Sequence, residues 1–372
     1  MSYSVLKQVV TMASISGGIP NPIVRTSWLW SRKLLPSRSS IRVSINSFVD
    51  PVTLTCTGSL VKTPRFSGFS AIRTFKAKAK GREEGEPFPR QSQEKQPGKE
   101  HVMDPIPQFI NHHYNPSAKL HGKVALVTGG DSGIGRAVCY CFAKEGATVA
   151  FTYVKGYEEK DAEDTLEIIN KSKMSDSSNP IAIPVDLGYE KNCKNVVDEV
   201  IGTYGRIDVL VNNAAEQHAT NSLEDITDER LERVFRTNIF SHFFLTRHAV
   251  KHMKEGSSII NSTSVLAYTG SPKWLDYSST KGAIVSFTRG LALMLVDKGI
   301  RVNGVAPGPV WTPLQPASRD EQDTPTFGSQ VPMGRAGQPF EIAPSYVFLA
   351  SEDSSYVTGQ VLHPNGGTIV NA

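Results

Sequence analysis

No apolar run in the sequence approaches the roughly 18 to 20 residues a membrane helix requires, so no bilayer-spanning segment is expected. Cysteine is scarce: Cys56, Cys139, Cys141 and Cys193 are the four among 372 residues. Cys139 and Cys141 sit two apart on an expected helix and point to different faces, which forbids a bridge between them. No pair has the spacing of metal ligands, so no metal site is expected and the thiols suit a reducing compartment. Acidic residues are missing from one region only. Residues 1–82 hold thirteen Lys/Arg and a single acid, Asp50, a local charge of +12, whereas the rest holds 27 Lys/Arg against 35 acids, or −8. The overall +4 thus conceals a mildly acidic body, and the nucleic-acid partner that a basic total would suggest is not expected.

The basic stretch is also rich in serine, with 14 in residues 1–82, and lacks the compact apolar core of a secretory signal. A basic, Ser-rich, acid-poor leader has the composition of an organelle transit peptide. Residues 1–80 are therefore expected to be a disordered leader, addressed to the chloroplast in preference to the mitochondrion or the cytosol. Residues 81–119 turn to Glu, Gln, Lys, Pro and Gly and read as a polar linker or N-terminal arm with no core of its own. His112-His113 lies there without nearby partner ligands and reads as a solvated pair.

From Lys123 onward strand-like and helix-like runs alternate. Strands are expected at Val124–Thr128, Thr148–Tyr153, Ile181–Val185, Ile207–Val211, Ser258–Ser264, Ile300–Ala306 and Gln360–His363. Helices are expected from the glycine-rich turn to Glu145, then near Glu158–Lys171, Lys191–Tyr204, Asp228–Lys254, Tyr277–Asp297 and Phe340–Ala350. Such alternation implies an α/β fold: a doubly wound, Rossmann-like parallel sheet of about seven strands, helices on both faces, in a single catalytic domain over residues 120–372. Ligands bind such a sheet beyond the carboxyl ends of its strands, so chemistry-bearing motifs belong just after strands.

The first strand runs into Thr128-Gly129-Gly130-Asp131-Ser132-Gly133-Ile134-Gly135. Gly129 can turn tightly, Gly133 lets backbone approach a pyrophosphate, and Gly135 permits close helix–strand packing. The following helix aims free N–H groups and its positive dipole end at the phosphates. Alone, a glycine cluster is as often a plain turn; after a first apolar strand and before a helix it points to a dinucleotide. Asp186-Leu187, after the third strand, offers an acceptor for an adenine amino group. Asn213-Ala214-Ala215, after the fourth, can floor the cleft. The second strand ends Tyr153-Val154-Lys155 with no acid before Glu158. A basic residue there suits a ribose 2′-phosphate and an acid a free hydroxyl, so NADP(H) is favoured, with NAD(H) possible.

Tyr277 and Lys281 are four residues apart on one expected helix and share a face, with Ser264 thirteen residues before Tyr277 at a strand end. A phenol near pKa 10 is a poor proton couple at neutral pH; a neighbouring ammonium favours the phenolate. Ser264 can hold a substrate oxygen while Tyr277 moves its proton, and Lys281 can reach the nicotinamide ribose. An isolated Tyr-x-x-x-Lys is usually an ordinary surface pair, but here it coincides with a glycine turn, a hydroxyl-bearing strand end and a parallel α/β frame.

This set of motifs resembles the short-chain dehydrogenase/reductase family across essentially all of residues 120–372. Gly98-Lys99-Glu100-His101-Val102, Ala215-Glu216-Gln217 and His363-Pro364-Asn365-Gly366-Gly367 resemble its plant glucose and ribitol dehydrogenase homologues and NADPH-dependent aldehyde reductases of plastid type. The resemblance implies hydride transfer between a nicotinamide and a carbonyl carbon, with Tyr277 as general acid for reduction of a small aldehyde, ketone or sugar. It implies that Asn238, otherwise just a polar residue in a helix, is a fourth catalytic residue holding a relay water. It makes Pro307, Gly308, Val310 and Thr312 part of a loop closing on the carboxamide, and it implies a homotetramer or homodimer. The chain departs from the family pattern at Ser132, where a basic residue commonly precedes the second glycine. Specificity is expected from His218, Leu266–Leu275 and a lid at Gln315–Met333, with Trp274 and Trp311 as apolar walls and His218 and Tyr268 for hydroxyls. His248 and His252 share a helical face, which suits a packed or interface helix better than a zinc pair. Two alternatives keep the same fold: a 3-oxoacyl-carrier reductase, which would need a basic patch for the carrier, and a non-catalytic nucleotide-binding protein.

Overall fold

Near-continuous apolar strands are stable when both their faces are covered, and the sequence supplies such strands at regular intervals. In the computed structural model, which describes residues 87–370, they form a seven-stranded all-parallel sheet. The strands are β1 (Val124–Val127), β2 (Thr148–Tyr153), β3 (Ile181–Pro184), β4 (Val209–Asn212), β5 (Ser258–Ser262), β6 (Arg301–Val305) and β7 (Val361–Leu362), in the order β3-β2-β1-β4-β5-β6-β7. The order reverses between β1 and β4, so the cleft opens above their carboxyl ends. The transit peptide expected over residues 1–80 lies outside the described residues.

Alternation along each strand builds two cores. Ala125 and Val127 join Val149, Phe151 and Val211 under α1 (Gly133–Lys144), α2 (Glu159–Ser172) and the later α8 (Pro339–Ala350). Val124 and Leu126 point the other way, joining Ala150, Leu210 and Ile259 under α3 (Glu190–Tyr204), α5 (Ser241–Ala249) and α7 (Leu275–Leu295). Two short helices complete the order, α4 (Asp228–Phe235) before α5 and α6 (Leu266–Thr269) before α7.

The long helix expected over Asp228–Lys254 is instead broken. A π-helical turn, Arg236–Phe240, separates α4 from α5 and α5 ends at Ala249. Apolar periodicity does not register one extra residue in a turn, which is why the sequence pattern runs through it. The segment expected as a polar linker is irregular, as its composition demands, but from residue 87 it lies along the domain. Phe88 and Met103 are buried with Trp311, Phe327 and Ala336, and the Phe88 and Trp311 rings stack at 3.9 Å. The arm has no core of its own; it borrows the domain's.

Candidate active site

The cleft is assembled from strand ends. Thr128, closing β1, laces it to β4: its hydroxyl accepts the N–H groups of Asn213 (2.8 Å) and Ala214 (3.0 Å). The glycine turn that follows places Gly129, Asp131, Ser132, Gly133 and Ile134 along the cleft. Gly129 (φ +61°) and Gly133 (φ +52°) occupy the left-handed region, where a side chain is strained. Gly135 faces the loop itself: a Cβ there would lie 1.9 Å from the Gly129 carbonyl oxygen, so its part is packing and it is not in the cleft wall. Asn213, Ala214 and Ala215 line the floor after β4, and Asp186 and Leu187 the wall after β3. Pro307, Gly308, Val310 and Thr312 close the side after β6. A loop this tight at the amino end of α1, whose dipole favours an anion, fits a dinucleotide pyrophosphate.

Ser264, Tyr277 and Lys281 meet at the other end of the same cleft. The Ser264 oxygen accepts the Leu266 N–H at 3.1 Å, which fixes the hydroxyl at the start of α6, and Ser264 favours the ionised form of the Tyr277 phenol. Lys281 Nζ stands 5.3 Å from the Tyr277 ring centroid and donates to the Ser262 carbonyl at 2.9 Å. Burial governs both titrations. It raises Tyr277 to about 12, against smaller lowering by Ser264 and by the charge of Arg319. It lowers Lys281 to about 7. Ser264 and Arg319 both draw the phenol down against burial.

Asn238 sits in the π turn, fully buried. Its Oδ1 accepts the Glu216 N–H and its Nδ2 donates to the Glu216 carbonyl, both at 2.8 Å, with a further bond to Thr280 Oγ1 at 3.2 Å. The side chain expected to hold a water is thus engaged in joining the β4 loop to α7. Tyr153 lines the cleft, but Lys155 is exposed and outside it. The chain turns back through Gly156 (φ +79°) and brings Glu158 under the strand end, where its Oε2 accepts the Val154 N–H at 2.8 Å. The acid-free strand end read from the sequence is thereby corrected: Glu158 and Asp131 both belong to that wall.

The expected substrate residues divide. Trp311 is buried and donates to the Pro105 carbonyl at 2.7 Å, so it faces the arm and not a substrate. Trp274 is buried beneath the Arg319 guanidinium. His218 lies 3.5 Å from Glu216, Tyr268 packs edge-on against His363, and of the lid Gln315 reaches the cleft. His248 hydrogen-bonds Glu190 at 2.6 Å.

The model of a family described as enoyl-(acyl carrier protein) reductase matches residues 129–368. "Glucose and ribitol dehydrogenase" of Daucus carota is 69% identical over 287 residues, 77% of this chain and 99% of the relative. "NADPH-dependent aldehyde reductase 1, chloroplastic" of Arabidopsis thaliana is 70% identical, over 76% of this chain and 99% of the relative. Among solved structures, a short-chain dehydrogenase from Burkholderia cenocepacia J2315 in complex with NADP is 32% identical, with a TM-score of 0.61 over 67% of this chain and 98% of that one. The chain belongs to the short-chain dehydrogenase/reductase family.

Several residues of this short-chain dehydrogenase/reductase cleft have no signature in the sequence. Arg233 of α4 pairs with Asp186 at 2.6 Å and Glu216 at 2.5 Å, tying the β3 and β4 ends. Gln96 and Pro97 of the arm line the cleft, and Gln96 Nε2 donates to the Ala317 carbonyl of the lid at 2.6 Å. Glu100 is fully buried, accepts the Gly133 N–H at 2.5 Å and pairs with Arg136 at 2.7 Å. The arm is thus pinned both to the glycine loop and to the lid. Its only sequence trace was the polar Gly98–Val102 stretch.

Proposed function

We propose that the protein is an NADP(H)-dependent oxidoreductase that interconverts a small carbonyl compound (an aldehyde, a ketone or a sugar) and its alcohol. The observation that carries this is the convergence of Ser264, Tyr277 and Lys281 on one cleft with the glycine loop. The Arabidopsis relative is named NADPH-dependent, and a neighbour from a metagenomic library, 34% identical with a TM-score of 0.62, is a complex with NADPH. The bound dinucleotide would supply or accept the hydride. The protein's own residues do the rest. Ser264 holds the carbonyl oxygen, and Tyr277 gives that oxygen its proton during reduction. The Lys281 ammonium, one turn on, stabilises the phenolate left behind. Asn238 positions the Glu216 backbone and, through Thr280, the helix that carries Tyr277. Gly129, Asp131, Ser132, Gly133 and Ile134 seat the pyrophosphate, and Pro307, Gly308, Val310 and Thr312 the carboxamide end.

The carrier-directed alternative would need free cations at the cleft mouth; Arg233 there is committed to Asp186 and Glu216. Homo-oligomerisation and plastid targeting complete the proposal, the latter supported by the basic leader and the relative's chloroplastic name. The deciding experiment follows NADPH consumption by the purified chain over aldehydes, ketoses and a 3-oxoacyl thioester. Turnover of a small carbonyl, lost by about 10²- to 10⁴-fold in Tyr277→Phe, is expected. Tight cofactor binding with no turnover of any of them would leave a nucleotide-binding protein instead. Fusing the leader to a fluorescent protein tests the address, and a diffuse cytosolic signal refutes it.

A further inference from the structure

The cleft wall beneath the end of β2 cannot be satisfied with every acid ionised. Asp131 and Glu158 are each 1% exposed and face the same cleft. Glu158 Oε2 is taken by the Val154 N–H, and Ser132 beside Asp131 favours its ionised form. Glu158 Oε1 and Asp131 Oδ2 are buried and meet no donor among the described residues. Asp131 is also the neighbouring group that does most to raise the Glu158 carboxyl, after burial itself. Ionised carboxylates only accept, so two of them would leave facing acceptors in mutual repulsion. One proton between them converts the repulsion into a hydrogen bond.

We propose that Asp131 and Glu158 share a single proton, carried by Glu158, and that this proton sets how well the cleft tolerates a phosphorylated ribose. The assignment rests on the NADP(H) proposal above. Asp131 is the ionised partner because it has the Ser132 hydroxyl and lies in the field of Arg136 on α1. Glu158 has one backbone donor, and Asp131 and Asp161 of α2 both disfavour its charge. The other groups facing the pair do not offset it. Glu100 of the arm and Asp161 already claim Arg136, Cys139 behind Asp131 is held neutral by burial, and Lys155 at the strand end is exposed. Burial and the neighbouring acids hold Glu158 far above the ordinary carboxylate range. The wall therefore carries one negative charge at neutral pH and gains a second only in alkali.

The test compares dissociation constants for NADPH and NADH, read by protein fluorescence in the full chain, at about pH 7 and about pH 10.5, where the 2′-phosphate is fully ionised at both. The preference for NADPH over NADH should fall by about threefold or more across that interval in the parent and stay flat in Glu158→Gln, whose amide keeps a donor without a titration. Tyr153 and Tyr157, both raised by burial and by the neighbouring acids, are common to both proteins and cancel. Equal pH slopes in the two overturn the proposal. If Glu158→Gln does not fold, Asp131→Asn is read at neutral pH: a shift of about threefold or more toward NADPH supports the single charge, and no shift overturns it. Thermal unfolding gives a readout free of any dinucleotide. The raised Glu158 takes up a proton on folding, so parent stability declines as pH rises above the ordinary carboxylate range, and Glu158→Gln flattens that decline. A parent that prefers NADH throughout, yet shows the Glu158-dependent slope, would end the NADP(H) proposal and leave the pair standing.

Discussion

Lys281 is fully enclosed and its pKa is lowered to about 7 by burial, so its charge is present below that pH and fades above it. The charge is needed when Tyr277 releases its proton to substrate, because the phenol's own pKa is raised to about 12. The kcat/KM for carbonyl reduction, which reports the free enzyme, should be level in mild acid and fall as pH rises through about 7. Lys281→Arg, which cannot lose its charge in this range, should move that fall to higher pH even at reduced rate; an unmoved inflection assigns it elsewhere. Gly135 is a second point where one residue decides. With 1.9 Å between a built Cβ and the Gly129 carbonyl, Gly135→Ala must shift the loop, at a cost of roughly 1–3 kcal/mol. Dinucleotide affinity measured by calorimetry should drop about tenfold or more, while Gly202→Ala on α3, with open space around it and an ordinary helical backbone, should leave it near parental. Ser264, Tyr277, Lys281 and the glycines were legible because one helix turn or one strand end fixes their spacing. Glu158 was not: a turn of three residues reverses its direction, and distance along the chain gave the wrong side of the wall.

At the scale of elements, the seven strands and the longer helices were readable in order, though not α6, since buried parallel strands announce themselves as unbroken apolar runs. The π turn and the arm were not, for opposite reasons. The turn hides inside a helix pattern that differs from it by one residue. The arm hides because polar residues pack there through pairing and not through area. Glu100 shows this: burial raises its carboxyl to about 7, with Arg136 pulling the other way. It supplies an acceptor to Gly133 and a counter-charge to a buried guanidinium. Removing one partner of a buried pair strands the other, typically at 3–5 kcal/mol. Glu100→Ala should therefore lower stability by about 3 kcal/mol in denaturant unfolding, and free Lys95 and Lys99 for trypsin in the folded state. Arg136→Met paired with Glu100→Met should recover little of the loss, because the buried Asp161 carboxylate, which also pairs with Arg136, then loses its cation. Undiminished trypsin resistance in Glu100→Ala would show that Phe88 stacking and the Gln96–lid bond hold the arm alone.

The whole molecule raises a question its monomer cannot answer: what covers the outer face of α5 and α7. Charged residues ordinarily cap such helices, yet Phe243 is 54% exposed, packed against Phe287 at 4.5 Å between ring centroids, and Leu293 and Met294 on α7 are 80% and 74% exposed. Scattered exposed apolar residues are normal, but the Phe243–Phe287 contact links exposed apolar surface on two helices, so we predict an interface there. The family resemblance puts a homo-oligomer on the same helices, and α7 is the helix that also carries Tyr277 and Lys281. Assembly would then brace the proton-transfer helix from outside, as Asn238 braces it from within through Thr280. Phe243→Asp places a charge at the centre of that face, which an apolar interface excludes. Light scattering after size exclusion should show the parent as a multiple of the chain mass and Phe243→Asp as a smaller species with an unchanged circular dichroism spectrum. Reduction rates should fall with assembly and recover as protein concentration is raised. A parent that stays monomeric at working concentration removes the interface, and with it any bracing of Tyr277 by a second copy.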